Sequence, residues 1–227
     1  MADTTKTKPS AKKPSSPVKN AYLILYNAVS AGLWAVVLGR VIATNLTQGH
    51  EAVYPSVGEF CKWTQTLAGM EVLHSLFGIV RAPLITTFMQ VFSRYALVWG
   101  IADQFPALAA GSPAYSSMLV AWATTEVVRY SYFALGLSGL QPAALHWLRY
   151  HAFFVLYPLG ISSEAWLIWA AAAGPAKTWI YPAYSPVLYA FVGLVYPPAS
   201  YILYTHMMAQ RRKVMKAAKA KNEKATQ

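Results

Sequence analysis

Apolar residues along this chain fall into six runs, at about 21–43, 58–79, 84–105, 114–137, 146–173 and 181–208. Each is near the ~20-residue length of a helix that crosses a bilayer. Short polar or Gly/Pro-marked connections separate them: TNLTQGHEAVYPSV at 44–57, Arg81–Ala82–Pro83, PALAAGSP at 106–113, Gly139 with Pro142, and Gly174–Pro175 with Lys177. The pattern predicts an all-α integral membrane protein, a six-transmembrane-helix bundle around a polar interior cavity. Pro158 lies inside the fifth run and has no N–H for the carbonyl of Phe154, so a kink is expected there. The sixth run carries Pro186, Pro197 and Pro198 and should be bent. Residues 1–20 read as a disordered basic tail, 21–208 as the membrane domain and 209–227 as a second basic tail. No short cleavable apolar segment precedes the first run, which is expected to be an uncleaved anchor.

Polar residues recur inside the runs at helical spacing. Asn27, Ser30 and Trp34 align in the first, and Thr64, Leu67, Glu71, His74, Ser75 and Gly78 in the second. Thr87, Gln90 and Arg94 align in the third, and Glu126, Arg129, Tyr130 and Phe133 in the fourth. Lipid offers such groups no partner, so the stripes are expected to face one another or a wet interior. Glu126 and Arg129 are spaced to pair within their helix, and Glu71 with Arg94 to pair between helices. His74 fits a hydrogen-bonded interior histidine. His146 and His151 lie about 140° apart on a helix and form no joint metal site.

Composition sharpens the class. Only 12% of the 227 residues are charged and 56% are hydrophobic, against about 25% charged in soluble domains. The net charge of +11 sits mostly at the ends, with five of 19 Lys and Arg in residues 1–20 and seven in residues 211–227. No basic patch alternates with aromatics on a soluble module, so nucleic acid is not an expected partner. With six spans both tails share a side, and the positive-inside rule puts that side in the cytosol. The single cysteine, Cys61, excludes an intrachain disulfide and a Cys-rich metal site. Leu67 stands six residues after it, so a Cys-x5-Arg phosphatase loop is absent. No metal or redox cofactor is signalled.

The fifth run carries the candidate chemistry. Tyr150, Tyr157 and Glu164 recur every seven residues, close to two helical turns, and lie near one face. No basic residue stands within four positions of Glu164, so its partner must be another helix, a proton or a substrate. A buried carboxyl of this kind reaches the range useful to a general base. A neighbouring phenol stays protonated and can give a proton.

Four stretches carry a resemblance: YLILYN at 22–27, LAGMEVLHSLFGIVRAPLITTFMQVFSR at 67–94, WATTEVVRYSYFAL at 122–135 and LRYHAFFVLYPLGISSE at 148–164. They resemble the membrane 3-hydroxyacyl-CoA dehydratases of very-long-chain fatty acid elongation, also called protein-tyrosine-phosphatase-like or PASTICCINO-2 proteins. The resemblance implies an endoplasmic-reticulum protein with six spans and cytosolic termini. It implies dehydration of a (3R)-3-hydroxyacyl-CoA to the trans-2-enoyl-CoA, the third step of the elongation cycle, and an acyl-CoA substrate. It also implies partnership with the other elongase enzymes, a condensing enzyme and reductases. The family's catalytic Tyr and Glu, seven residues apart around a YP dipeptide, correspond to Tyr157 and Glu164. Arg129, Arg94, Glu126 and Tyr150 are candidates for supporting the reacting groups, and Arg149, Arg81 or tail lysines for meeting the phosphates of CoA. The competing readings are a small polytopic transporter, because buried Glu and Arg suit that work too, and a non-catalytic membrane scaffold.

Overall fold

The computed structural model describes residues 16–178 and 183–225, with side chains described as far as 216. Residues 1–15 of the expected first tail, and 181–182 of the expected sixth run, lie outside the described residues. Those described are helical almost throughout, with no strand among them. In chain order the helices are α1 (Pro17–Thr47), α2 (Val53–Thr66), α3 (Gly69–Leu76), α4 (Leu84–Leu97), α5 (Pro106–Gly111), α6 (Pro113–Leu137), α7 (Ala143–His151), α8 (Phe153–Ala173), α9 (Tyr184–Ala190) and α10 (Tyr196–Ala225). Five-residue π-turns follow α4 (Val98–Ala102) and α9 (Phe191–Val195). Three helical stretches, Pro17–Thr47, Phe153–Thr178 and Tyr184–Lys216, are long and apolar enough to cross a membrane.

The buried residues of α1 are Leu23, Asn27, Ser30, Trp34, Val37, Val41 and Thr44. Steps of three and four make one stripe, and it lies against α6. The same stripe contains the Asn27, Ser30 and Trp34 expected to face inward. Helix α6 is the centre of the molecule, packed on α1 and also on α8. Two partners explain why its buried residues, from Tyr115 to Ala134, go most of the way round. Cross-helix bonds fix the directions. Tyr22 near the start of α1 meets His74 near the end of α3. Thr44 and Asn45 near its other end meet Ser56 of α2 and Ser116 of α6. Helix α1 is therefore antiparallel to α2–α3 and to α6. Outward faces carry Leu25 and Val36 on α1, Ile85 and Phe88 on α4, Val155 and Trp166 on α8, and Tyr201 and Ile202 on α10. An apolar exterior of this extent suits a lipid environment.

The ends of the helices follow from their residues. Helices α3 and α6 both stop before a glycine in the left-handed region, Gly78 at φ 65° and Gly139 at φ 84°. Each closes by a bond back over the last turn, Val80 N–H to His74 O at 3.1 Å and Leu140 N–H to Leu135 O at 2.8 Å. Pro83 and Pro142 then start α4 and α7.

Three expectations change. The loop expected at 44–57 reduces to Gln48 and Gly49 before a 3-10 turn at His50–Ala52, because the polar residues bond within and between helices, as Thr47 does to Ala43 O at 2.8 Å. The loop at 106–113 contains α5, started by Pro106 at its first turn. The single helix expected from His146 to Ala173 is two. The break comes at Ala152, where Val155 N–H bonds Ala152 O at 3.1 Å in a tightened turn, and α8 runs on through Pro158. Pro158, which has no N–H for the carbonyl of Phe154, lies within α8, six residues after that break.

Candidate functional site

Helices α3, α4 and α6 meet in a partly buried ion network. Arg129 on α6 donates from Nε to Glu126 Oε2 at 2.6 Å, one turn back. Its two terminal nitrogens fork onto Glu71 of α3 at 2.8 and 2.7 Å. The planar guanidinium makes that two-pronged fit possible. Arg94 of α4 donates to the other oxygen of Glu126, and the Tyr130 hydroxyl donates to Glu71. Two carboxylates thus balance two guanidiniums. The Glu126–Arg129 pair is the one the i, i+3 spacing predicts. The expected Glu71–Arg94 pair is replaced: Glu71 takes Arg129, and Arg94 takes Glu126. Glu126 takes Arg94 on one oxygen and Arg129 on the other, which leaves the two terminal nitrogens of Arg129 for Glu71. His74 is buried, bonds the Tyr22 hydroxyl at 2.7 Å and meets the Tyr26 ring edge-on at 4.9 Å.

Glu164 sits differently. It projects from α8 between α6 and α10, where Trp122 Nε1 donates to Oε1 at 2.7 Å and the Tyr196 hydroxyl donates to Oε2. Both bonded partners are neutral. The nearest part of the ion network is Arg94, whose guanidinium lies over the Trp122 ring at 4.8 Å from its centre. Gly160, one turn before Glu164, is buried against Ala121 of α6, where an added Cβ would stand 3.6 Å from the Ala121 Cβ and 3.8 Å from Glu164 Oε1. There is room for a methyl at this point and for little more, so α8 lies close to α6 beside the carboxyl.

Tyr157, two turns before Glu164, donates to the carbonyl oxygen of Ser200 at 2.9 Å and packs on the Tyr204 ring at 5.6 Å. Ser200 follows Tyr196 by four residues on α10, so Tyr157 and Glu164 dock on that helix one turn apart. Both are partly exposed, whereas Tyr196 is buried. The two candidates from the fifth run are therefore brought to one helix–helix seam.

The other candidates scatter. Tyr150 does not join Tyr157. The break at Ala152 diverts α7, and the Tyr150 ring meets Tyr132 at 6.4 Å and His146 at 4.9 Å. Arg149 lies over Tyr132 and Phe133 at 4.9 and 4.7 Å. Arg81 is exposed in the turn between α3 and α4, and Gln90 is exposed on α4 instead of facing inward. His151 stacks on Trp147 at 4.8 Å, apart from His146. Sequence reasoning missed Trp122 and Tyr196 as partners of Glu164. A signal existed for each: Trp122 is an N–H-bearing ring well inside its run, and Tyr196–Pro197 repeats the Tyr–Pro pair of Tyr157–Pro158.

Comparison with known proteins gives a consistent result. The profile of the family described as protein tyrosine phosphatase-like protein, PTPLA, matches residues 65–217. A Schizosaccharomyces pombe protein named probable very-long-chain (3R)-3-hydroxyacyl-CoA dehydratase is 42% identical over 208 residues, covering 91% of this chain and 99% of that relative. The rice (Oryza sativa subsp. japonica) very-long-chain (3R)-3-hydroxyacyl-CoA dehydratase PASTICCINO 2B is 41% identical over 90% of this chain and 97% of its own length. Human very-long-chain (3R)-3-hydroxyacyl-CoA dehydratase 2 is 33% identical over 88% and 82%. No solved structure matches the chain.

Proposed function

The chain belongs to the protein tyrosine phosphatase-like family, and from that membership we propose that Glu164 and Tyr157 carry out the dehydration for which its relatives are named. The protein is a hydro-lyase of fatty acid elongation that converts a very-long-chain (3R)-3-hydroxyacyl-CoA to the trans-2-enoyl-CoA. Glu164 takes the proton from C2, and the C–H electron pair becomes the C2–C3 double bond. The C3–O bond breaks, and the departing oxygen takes the Tyr157 proton and leaves as water. Return of the proton from Glu164 to Tyr157 resets the pair. Positioned acids and bases of this kind each contribute roughly 10²–10⁴-fold.

One observation carries the assignment. Glu71 and Glu126 are each bonded to a guanidinium, while among the described residues Glu164 is bonded only to neutral donors. A carboxylate ion-paired with an arginine is a weakened base; one held by an indole and a phenol carries no paired cation to weaken it in that way. For Tyr157 to act it exchanges the Ser200 carbonyl for the substrate hydroxyl. The ion network lies beside Glu164 across Trp122, and Arg94 and Arg129 supply positive charge near the developing enolate.

The wider setting belongs to the same proposal. The chain spans the endoplasmic-reticulum membrane six times around a polar interior, with both termini cytosolic. The antiparallel order of α1, α2–α3 and α6 supports that topology. Arg81, Arg149 and the basic residues beyond α10's apolar part lie toward the cytosolic mouth, where CoA phosphates enter. The elongase reductase that makes 3-hydroxyacyl-CoA and the one that consumes enoyl-CoA are the expected neighbours, together with the condensing enzyme. Incubating purified protein with a long-chain (3R)-3-hydroxyacyl-CoA tests the reading. Enoyl-CoA from the wild type and none from Glu164→Gln or Tyr157→Phe is expected; near-normal turnover by both variants overturns the assignment.

A further inference from the structure

Resting on the dehydratase reading, we infer that Tyr196 is a positioning residue of this site: its hydroxyl, working with the Trp122 indole, fixes the Glu164 carboxylate in its proton-accepting orientation. Each carboxylate oxygen offers two acceptor sites. Tyr196 occupies one on Oε2 and Trp122 one on Oε1, so the remaining acceptor positions are held in place for the C2 proton. A glutamate without those two donors turns about its own side-chain bonds and loses the orientation the reaction needs.

The backbone explains how Tyr196 comes to face α8. Its N–H bonds the carbonyl of Phe191, five residues back, closing the π-turn Phe191–Val195. That extra residue per turn winds the chain about 100° less than an α-helix over the same stretch, and so sets which way Tyr196 points relative to α9. Pro197 and Pro198 follow and supply no N–H to the carbonyls of Gly193 and Leu194. The irregular turn and the tyrosine are thus one local structure. The Tyr196 ring also rests on Phe191, with centres 6.0 Å apart. The charged and titratable groups around Glu164 are Tyr196 on α10, Tyr157 on its own helix and Arg94 on α4. Arg94 is already committed to Glu126 and to the face of Trp122. Trp122 therefore stands between the nearest cation and the carboxylate, and Tyr196 completes a neutral clamp.

The test uses the full-length protein in bilayer discs with a long-chain (3R)-3-hydroxyacyl-CoA. Tyr196→Phe keeps the ring and its packing and deletes the donor. A hydrogen bond to a charged group is worth about ten- to hundredfold, so kcat is expected to fall by about that factor while KM moves less than about threefold. The rising limb of kcat against pH is expected to move to higher pH, because the charged carboxylate has lost a donor. Trp122→Phe removes the other donor and should move kcat and the pH limb in the same directions. Should one variant not be recovered folded, the other decides. Wild-type kcat and an unmoved pH profile, or a loss confined to KM, overturns the inference. A wild type that makes no enoyl-CoA instead sinks the dehydratase reading itself, so the two failures are distinct.

Discussion

Arg94 lies over Trp122, its guanidinium 4.8 Å from the indole centre, and these two side chains join the ion network to Glu164. On one side Arg94 is bonded to Glu126; on the other the indole N–H is bonded to the carboxylate of α8. The arrangement keeps a positive charge close to Glu164 without pairing it to that carboxylate. A cation over an aromatic face is stabilised by about 0.5–2 kcal/mol. Arg94→Met is therefore expected to leave Glu126 half-paired and Trp122 loose, lowering both thermal stability and kcat; an unchanged kcat would detach the network from the chemistry.

Glu126 is the keystone of the network, almost fully buried and shared by two arginines. Removing one partner from a buried ion pair costs about 3–5 kcal/mol. Glu126→Gln should lower the unfolding midpoint by roughly 10 °C for a chain of this size. Cys61 is the single cysteine and has no exposed surface, so a thiol-reactive dye reports unfolding directly, with no labelling before the transition.

Glu164→Gln keeps the size and shape of the side chain but removes the base. Turnover is expected to fall by about 10²–10⁴-fold, with the dye-monitored midpoint near that of the wild type. Tyr157→Phe should lose activity to a similar degree. Its cost in stability is that of one hydrogen bond to a carbonyl, about 0.5–1.5 kcal/mol.

How much of this was legible in the sequence depends on whether a relation is local. Glu164 stood out because no base lies near it in the chain, and Tyr157 because seven residues make two turns. The stripe on α1 and the Glu126–Arg129 pair follow from spacing alone. The partners of Glu71 and Arg94 do not, because either arginine matches either carboxylate in chemistry and only the helix packing decides. Tyr196 was hidden for a related reason. An aromatic among prolines in a run expected to bend has no defined face until the π-turn is known. The break at Ala152 was not legible because no glycine or proline marks it among the residues around it.

Gly160 offers a graded test of the α6–α8 seam. An added Cβ meets Ala121 and Glu164 Oε1 at ordinary contact distance, so Gly160→Ala should fold at least as stably, gaining up to about 1 kcal/mol in helix propensity. Gly160→Leu has no such room. It should force α8 from α6, displace Glu164, and cost 1–3 kcal/mol or more with nearly complete loss of turnover. Equal activity in the two variants would show that the close approach is not needed.

The topology is testable once that cysteine is removed. In a Cys61→Ala background, Arg81→Cys and Ser138→Cys place thiols in the exposed turns after α3 and α6, and Gln48→Cys places one after α1. A membrane-impermeant thiol reagent added to sealed microsomes should label the first two from the cytosolic side and the third only after the membrane is opened. Labelling of all three from one side would break the six-span proposal.

Helix α10 runs unbroken from Tyr196 to Ala225, so the hydrogen-bond partners of Glu164 and Tyr157, the Tyr196 hydroxyl and the Ser200 carbonyl, are cut into the same shaft as the basic residues farther along it. At 1.5 Å per residue, Tyr196 and Lys216 are about 30 Å apart along that shaft. A displacement of the end that carries Arg212, Lys213 and Lys216 would therefore be passed along one continuous helix to the tyrosine. The support of the Glu164 carboxyl and the basic end of the helix are parts of a single lever.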